Sequence, residues 1–338
     1  MKISVLGSGA WGIAVALLLH KNGHDITLWS KFNDEAKILS ETRQSPLLKD
    51  IKIPESIYIT TDLNIAVMDA KAVMLAVPSF AVRETAEALK NKLPKNTIVA
   101  CMSKGIEKDT SLLFTSILKD ILGPEALIAA VSGPTHAEEV ARFIPSACVV
   151  ASDDFTVAEK IQGLLMNESF RVYTSTDIIG AELGAALKNV IAISVGICKG
   201  MGLGDNTIAM LMTRGLSEIA ELCVKMGGRK ETLAGLTGLG DLIVTCMSEH
   251  SRNRKAGVFI GEGLSAADAM KKVGAVVEGY YAANAVKKLA DEKNVEMPIC
   301  NEVYLVCYEN KTPSVSIRDL MEREKKSEQP TGAETWVI

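Results

Sequence analysis

The sequence has no long apolar run free of interruption. Each one contains glycine, lysine or asparagine, so we predict no membrane span. We expect no signal peptide, because Lys2 to Ser4 lead directly into a strand-like stretch. The seven cysteines lie singly and the four histidines are dispersed, which favours reduced thiols over disulfides or metal ligands. We therefore expect a cytoplasmic protein that binds no metal.

Charge of one sign is not in excess either. The formal net charge of −4 is too small to indicate nucleic acid or an anionic membrane surface as a partner. The 338 residues are 48% hydrophobic and 23% charged, as in ordinary globular proteins, and they are too many for one compact core. The composition therefore predicts two domains.

The first segment with a recognisable motif is VLGSGAWGIAVALLLHKNGHDITLWSK, at positions 5–31. It contains G-x-G-x-x-G at Gly7, Gly9 and Gly12, between a β-branched strand and an apolar helix. Gly7 permits a tight turn, Gly9 lets the backbone approach a pyrophosphate, and Gly12 lets helix and strand pack closely. We predict a dinucleotide-binding Rossmann fold; the alternative is a plain glycine turn.

The second strand ends in Trp29, Ser30 and Lys31, where many such segments have an acid. A carboxylate there hydrogen-bonds to the ribose of NAD and repels the 2′-phosphate of NADP. A hydroxyl and a cation instead favour that phosphate, so we expect NADP or NAD to bind, with NADP preferred. The alternative is that Lys31 is a solvated loop residue.

Three later buried strands end in polar loops, PS at 78–79, SKG at 103–105 and SGPTH at 132–136. Ligands of open α/β sheets bind at the carboxyl ends of the strands, so Lys104 and the loop from Ser132 to His136 are expected at the site. His136 is the nearest rival for acid–base work, although a surface or supporting role is the reading we prefer.

From Asp177 the pattern becomes helical, so we place a first domain at 1–178 and a second at 179–323. Lys188 is the one charged residue between Glu182 and Lys199. A lysine inside an apolar helix has a lowered pKa and can exchange a proton near neutral pH, whereas the alternative is a lysine that extends to the surface. Its helix face carries small residues that leave room for another backbone or a ligand, namely Ala181, Gly184, Ala185, Ala192 and Gly196.

Two loops of the second half carry further candidates. Asp241, in GLTGLGDLIVTC at 235–246, could orient the ammonium of Lys188 or simply cap the next helix. Ser251, Arg252 and Asn253 precede a helix-like segment, where arginine and free N–H groups could hold a phosphate. The alternative for these three is a solvated basic run.

These motifs together resemble the bacterial-type NAD(P)-dependent sn-glycerol-3-phosphate dehydrogenases. The resemblance extends from Met1 to about Arg323. It depends on motifs that occur in one order, namely GSGAWG at 7–12, SKGIE at 103–107, SGPTHAEEVA at 132–141, ELGAALKNVIAI at 182–193, GLTGLGDLIVTC, SRNRKAG at 251–257 and VEG at 277–279. The segment 324–338 is polar and matches nothing, so we predict it to be mostly disordered.

The resemblance implies reversible reduction of dihydroxyacetone phosphate to sn-glycerol 3-phosphate, by a Rossmann domain joined to an all-α C-terminal domain like that of 6-phosphogluconate dehydrogenase relatives. It implies Lys188 as proton donor and acceptor, a homodimer, and substrate contacts at Lys104, Gly133, Thr135, Lys188, Asp241, Ser251, Arg252 and Asn253. Cofactor contacts are expected at the three glycines and, by resemblance, at Ala10, Trp11, Lys31, Lys104, Ala137, Arg252, Val276 and Glu278.

Two other functions fit the same patterns. A 3-hydroxyacid or ketopantoate-type dehydrogenase would keep the fold but take a carboxylate in place of a phosphate. A non-catalytic NAD(P)-binding redox sensor would bind cofactor without turnover and would leave the buried lysine unexplained.

Overall fold

The computed structural model describes residues 1–325, 327 and 328. Strands occupy the first half of the chain, and helices alone follow Ser175 within the described residues. The strands are β1 (Lys2–Leu6), β2 (Asp25–Trp29), β3 (Gln44–Ser45), β4 (Leu48–Lys52), β5 (Tyr58–Thr60), β6 (Ala72–Leu75), β7 (Ile98–Cys101), β8 (Leu127–Ser132), β9 (Ser146–Ala151) and β10 (Phe170–Ser175).

Eight strands form one sheet in the order β10-β9-β8-β7-β6-β1-β2-β5. Neighbours are parallel, except that β8 and β9 are antiparallel. The inner strands are buried along their whole length, as expected for a sheet with helices on both faces. Because the chain leaves β1 towards β2 on one side and returns as β6 on the other, the end of β1 lies at a topological switch point, where such folds bind ligands.

The helices of the first half are α1 (Ala10–Lys21), α2 (Asn33–Thr42), α3 (Leu63–Val67), α4 (Val82–Leu89), α5 (Phe114–Leu122), α6 (Ala137–Val140) and α7 (Phe155–Leu165). Those that follow are α8 (Ile178–Gly200), α9 (Asp205–Lys225), α10 (Lys230–Leu233), α11 (Asp241–Met247), α12 (Arg252–Gly261), α13 (Ala266–Val273), α14 (Glu278–Lys293), α15 (Pro298–Tyr308) and α16 (Pro313–Met321). A 3-10 turn at Ser79–Ala81 and a π-helical turn at Leu236–Gly240 complete the elements.

The predicted fold class, a Rossmann sheet followed by helices, is confirmed, and each strand that we predicted is present with small shifts at its ends. Strand β5, which is three residues long and forms the sheet edge, was not predicted, nor was the antiparallel hairpin of β3 and β4. These strands are short, and β4 is largely exposed, so they lack the longer apolar runs that mark the inner strands. The change from sheet to helices falls between Ser175 and Ile178. The proposed domain limits stay predictions, and most of the polar segment predicted at 324–338 lies outside the described residues.

Helix α8 forms the centre of the helical half. In the described chain it is the one helix long and apolar enough to cross a membrane, but 94% of its most apolar window is buried inside the protein. Core helices of soluble folds have the same length and composition. The apolar character of α8 is therefore explained by the helices α9, α11, α12, α14 and α15 that pack around it.

Candidate active site

The glycine loop after β1 is shaped as a nucleotide cradle. Gly7 has a φ of +113°, and a Cβ there would lie 2.5 Å from the carbonyl oxygen of Ala76, so only glycine fits this turn. A Cβ on Gly12 would overlap the carbonyl of Gly7, because α1 starts directly against the loop. Nothing lies within 4 Å of the Cβ position of Gly9. The loop is thus tight against the sheet and open on the side that a pyrophosphate would occupy.

Helix α1 begins at Ala10 with its first N–H groups available. Its N-cap residue is Gly9, which has no side chain to satisfy them. The indole Nε1 of Trp11 is buried and has no hydrogen-bond partner among the described residues. A buried donor without a partner is costly, and a bound acceptor would relieve it. The loop, the helix start and this donor therefore fit a dinucleotide.

Lys188 lies inside the protein with only 5% of its surface exposed, which excludes the surface-lysine alternative. Its Nζ donates to the carboxylate Oδ1 of Asp241 and, at 2.8 Å, to the hydroxyl of Thr245. Thr245 in turn donates to the backbone carbonyl of Asp241 one helical turn earlier. The ammonium is therefore held in a fixed place on α8 by the first two turns of α11.

Asp241 also forms an ion pair with a second lysine, which comes from the other half of the chain. The Nζ of Lys104, in the loop after β7, donates to Asp241 Oδ2 at 2.9 Å and to the carbonyl of Gly133 at 2.8 Å. It also lies 3.4 Å from Thr135 Oγ1. The sequence left open whether Asp241 orients a lysine or caps a helix. It is the first residue of α11 and also pairs with both lysines, so the geometry favours the orienting role, which stays a prediction.

Burial lowers the pKa of Lys188 to about 8, and the nearby ammonium of Lys104 acts in the same direction. The carboxylate of Asp241 opposes this shift because it stabilises the charged form. Two ammonium groups and one carboxylate leave the cluster with one excess positive charge. Such a cluster attracts an anionic substrate and can exchange a proton near neutral pH.

The second candidate cluster lies at the start of α12. Ser251 is its N-cap, and its hydroxyl oxygen accepts a hydrogen bond from the N–H of Arg254, which leaves the O–H of Ser251 able to donate. The side-chain amide of Asn253 is buried between Asn189 and Gly279, to which it is hydrogen-bonded at 2.9 and 2.8 Å. Arg252 is exposed and forms no hydrogen bond or ion pair in the described chain. The free donors here are accordingly the Arg252 guanidinium, the O–H of Ser251 and the backbone N–H groups of Arg252 and Asn253.

Glycines fix the distance between these two clusters. A Cβ on Gly196 would overlap the carbonyl of Arg254, and one on Gly257 would overlap the carbonyl of Ile193. Helices α8 and α12 therefore pack backbone against backbone. One turn before Lys188, a Cβ on Gly184 would lie 2.6 Å from the carbonyl of Thr237, just ahead of Asp241. The small-residue face of α8 thus makes room for neighbouring backbone, the first of the two possibilities left open by the sequence.

We expect Gly196→Ala to destabilise the protein by about 1–3 kcal/mol, because the added methyl must push α12 away from α8. The loss is expected as a lower midpoint of thermal unfolding. Gly163→Ala is the matched control, since Gly163 also lies inside a helix but its Cβ would meet nothing within 4 Å. That variant should be neutral or slightly stabilising. Equal effects of the two substitutions would contradict the close packing of α8 and α12.

Three further residues were predicted to contact the cofactor, namely Ala137, Val276 and Glu278. Ala137 is the first residue of α6, directly after the loop that holds Gly133 and Thr135. Glu278, the first residue of α14, accepts hydrogen bonds from the backbone and hydroxyl of Ser79, and burial raises the pKa of its carboxyl group. Val276 is half-buried just before it. This contact joins the end of β6 to the helical half.

Lys31 is paired with another residue of the chain. Its ammonium forms an ion pair with Glu84 on α4, at 2.6 Å, with about half of its side chain exposed. The buried Ser30 hydroxyl donates to Glu35 at 2.6 Å. Neither of the groups from which we predicted a preference for NADP is therefore free, and that preference stays a prediction.

His136 and Ser132 flank the loop after β8. The Nε2 atom of His136 and the hydroxyl of Ser132 are buried without hydrogen-bond partners in the part of the chain that is described. Burial lowers the pKa of His136, and the charges of Lys188 and Lys104 add to this shift while two glutamates oppose it. His136 is therefore held neutral beside the lysine cluster, which suits a supporting role rather than that of the proton donor.

Several contributors were missed by the sequence analysis. Thr245 and Asn189 lie in no motif, so a single sequence does not mark them as site residues. Phe32 and Phe80, in the segments that follow β2 and β6, are 65% and 73% exposed. Exposed aromatic side chains can indicate a binding surface. The sequence alone does not show which aromatic residues are exposed, so these two could not be predicted from it.

Two sequence models of one family match the chain. The model described as the N-terminus of NAD-dependent glycerol-3-phosphate dehydrogenase matches residues 2–158, and the corresponding C-terminus model matches residues 177–318. The chain belongs to this dehydrogenase family. The NAD(P)+ glycerol-3-phosphate dehydrogenase of Fusobacterium nucleatum is 48% identical over 330 residues, which are 97% of this chain and 98% of that protein. The family resemblance predicted from the motifs is thus confirmed.

Solved structures of this family have the same fold. A glycerol-3-phosphate dehydrogenase from Coxiella burnetii is 35% identical, with a TM-score of 0.91 over 95% of this chain and 99% of that one. A ketopantoate reductase from Ralstonia eutropha is only 15% identical, with a TM-score of 0.63 over 94% of this chain and 100% of that one. The second comparison shows a shared fold and nothing about substrate.

Proposed function

We propose that this chain catalyses the reversible, NAD(P)H-dependent reduction of dihydroxyacetone phosphate to sn-glycerol 3-phosphate, which supplies glycerophospholipid synthesis. The observation that carries this proposal is the buried ammonium of Lys188, held by Asp241 and Thr245 in a chain of the glycerol-3-phosphate dehydrogenase family. When bound, the nicotinamide cofactor supplies the hydride that reduces the ketone carbon. The chain's own residues bind and orient the substrate and transfer the proton.

Lys188 would stabilise the negative charge that develops on the ketone oxygen and then donate a proton to it. In the reverse direction the neutral amine takes the proton from the alcohol. Asp241 and Thr245 orient the amine, so two of its three N–H bonds point at fixed acceptors. The third remains for the substrate oxygen. Lys104 adds positive charge next to this position and is oriented by Gly133 and Asp241.

The substrate phosphate would be held at the start of α12. The Arg252 guanidinium supplies charge, and the backbone N–H groups of Arg252 and Asn253 supply donors at the positive end of the helix dipole. The Ser251 hydroxyl would donate to the phosphate while its oxygen caps the helix, and the Asn253 side chain would act indirectly, because its hydrogen bonds fix the start of this helix. Binding the phosphate far from the reacting carbon orients the ketone towards Lys188.

The cofactor would lie across the end of β1. Gly7, Gly9 and Gly12 shape the turn, and the N–H groups of Ala10 and Trp11 face the pyrophosphate position. Ala137, Val276 and Glu278 border the cleft from the other side. A homodimer and a cytoplasmic location also belong to this proposal.

Steady-state rates of NADH and NADPH oxidation with three ketones test the proposed substrate. We expect dihydroxyacetone phosphate to have a kcat/KM at least about 10³-fold above that of dihydroxyacetone, because only the phosphate reaches Arg252. Ketopantoate should be no better than dihydroxyacetone. The preference should fall sharply in Arg252→Met and stay unchanged in Lys255→Met, which removes an exposed charge from the same helix. A higher rate with ketopantoate, or cofactor binding without any turnover, would contradict the proposal.

A further inference from the structure

We propose that Glu35 is the specificity-determining residue for the cofactor, and that its carboxylate selects NAD over NADP by occupying the place of the acid absent from the end of β2. This inference rests on the proposed use of a dinucleotide. It reverses the preference expected from Ser30 and Lys31 alone.

Glu35 lies in the first turn of α2, five residues beyond Ser30. Its Oε2 accepts a hydrogen bond from Ser30 Oγ at 2.6 Å and another from Ser8 Oγ at 2.7 Å. Ser8 stands between the first two glycines of the loop, and Ser30 directly follows β2. The carboxylate therefore bridges the glycine loop and the end of β2, which is where a Rossmann fold meets the adenosine ribose.

The geometry leaves one oxygen of Glu35 for a ligand. Both serine hydroxyls donate to Oε2, and no hydrogen bond to Oε1 is found within the described residues. Ser8 and Ser30 are buried, whereas Glu35 is half-buried, so its carboxylate is partly accessible beside the glycine loop. A ribose 2′-hydroxyl can donate to a free carboxylate oxygen. A 2′-phosphate cannot, because it carries negative charge and has no donor at neutral pH.

The other charges at this edge do not compensate for Glu35. The ammonium of Lys31 is paired with Glu84, which reaches it with both carboxylate oxygens at 2.6 and 2.7 Å. Glu35 and Glu84 together outnumber Lys31, so the local charge is negative. A phosphate dianion placed here would meet two carboxylates and a lysine that is already neutralised.

Binding measurements test this inference without any turnover. NADH and NADPH are titrated against the full chain by fluorescence, and adenosine 2′,5′-bisphosphate is then used as a competitor. The variants are Glu35→Gln, Glu84→Gln and, as matched control, Asp34→Asn, which neutralises the exposed neighbouring carboxylate in the same helical turn. Far-ultraviolet circular dichroism establishes that each variant is folded.

We expect the wild-type chain to bind NADH at least about tenfold more tightly than NADPH. Glu35→Gln should reduce that ratio about tenfold, mainly by tightening NADPH and the bisphosphate. Glu84→Gln should act in the same direction by releasing Lys31, and Asp34→Asn should leave the ratio within about twofold of wild type.

A wild-type preference for NADPH would overturn the inference. So would a Glu35→Gln variant with an unchanged ratio, or one that loses both nucleotides equally, since the carboxylate would then only support the loop. If neither nucleotide binds the wild-type chain, the proposed function itself fails. Binding with the opposite preference fails the present inference alone.

Discussion

Replacing Lys188 by methionine is expected to lower turnover of dihydroxyacetone phosphate by at least about 10³-fold while NADH binding stays within about twofold. Methionine keeps the length and apolar character of the side chain but cannot donate a proton or stabilise an alkoxide. The loss should appear in kcat more than in KM, because the phosphate is held elsewhere. Single-turnover kinetics and NADH titration measure the two quantities separately.

Lys199→Met is the control for this prediction. Lys199 lies on the same helix, is exposed, and is remote from the carboxylate of Asp241. It should retain normal turnover. If Lys188→Met kept more than about a tenth of wild-type kcat, a different group would have to supply the proton, and neutral His136 would be the first to examine.

Asp241→Asn is expected to lower the rate of ketone reduction at pH 7.5 by about 100-fold and to change its pH dependence. In the wild type, reduction needs protonated Lys188, so its rate should fall as the pH rises through about 8. Removing the carboxylate leaves two ammonium groups facing each other, which lowers the pKa of Lys188 further. The decline of the reduction rate should therefore move to lower pH by about one unit.

Oxidation of sn-glycerol 3-phosphate provides the opposite readout. That direction needs neutral Lys188, so its rise with pH should also move to lower pH in Asp241→Asn. A variant that was merely misfolded would lose both rates without moving either profile. Asp205→Asn, at the exposed start of α9, should leave both profiles unchanged. Unmoved profiles in Asp241→Asn would contradict the proposed coupling between Asp241 and Lys188.

The sequence predicted the parts of this site that depend on local pattern. Gly7, Gly9 and Gly12 have the spacing of a dinucleotide-binding loop between a strand and a helix, and Lys188 stands out as a charge in an apolar helix. The carboxyl ends of β7 and β8 predicted that Lys104 and the loop at 132–136 lie together, and Lys104 does contact Gly133, because parallel strands end at one edge of a sheet.

The rest depends on contacts between distant segments. Asp241 as a helix-capping residue and Asp241 as a partner of two lysines look identical in one sequence. Glu35 lies outside the strand end where an acid is usually sought, and reaches back through two serine hydroxyls. Asn253 was predicted to contact the substrate; its side-chain amide joins α12 to α8 and α14, and the predicted contact remains untested. The spacing of apolar residues along the sequence does not predict such long-range hydrogen bonds.

The position of Lys188 on the most enclosed helix has a consequence for how the protein loses activity. Local opening of that helix would expose the apolar centre of the whole helical half, so its amide hydrogens should exchange with solvent only when that half unfolds. Heating should consequently give no species in which Lys188 has left its place while the helical half is still folded. Exposure of Lys188 and melting of the helical half would then follow a single curve.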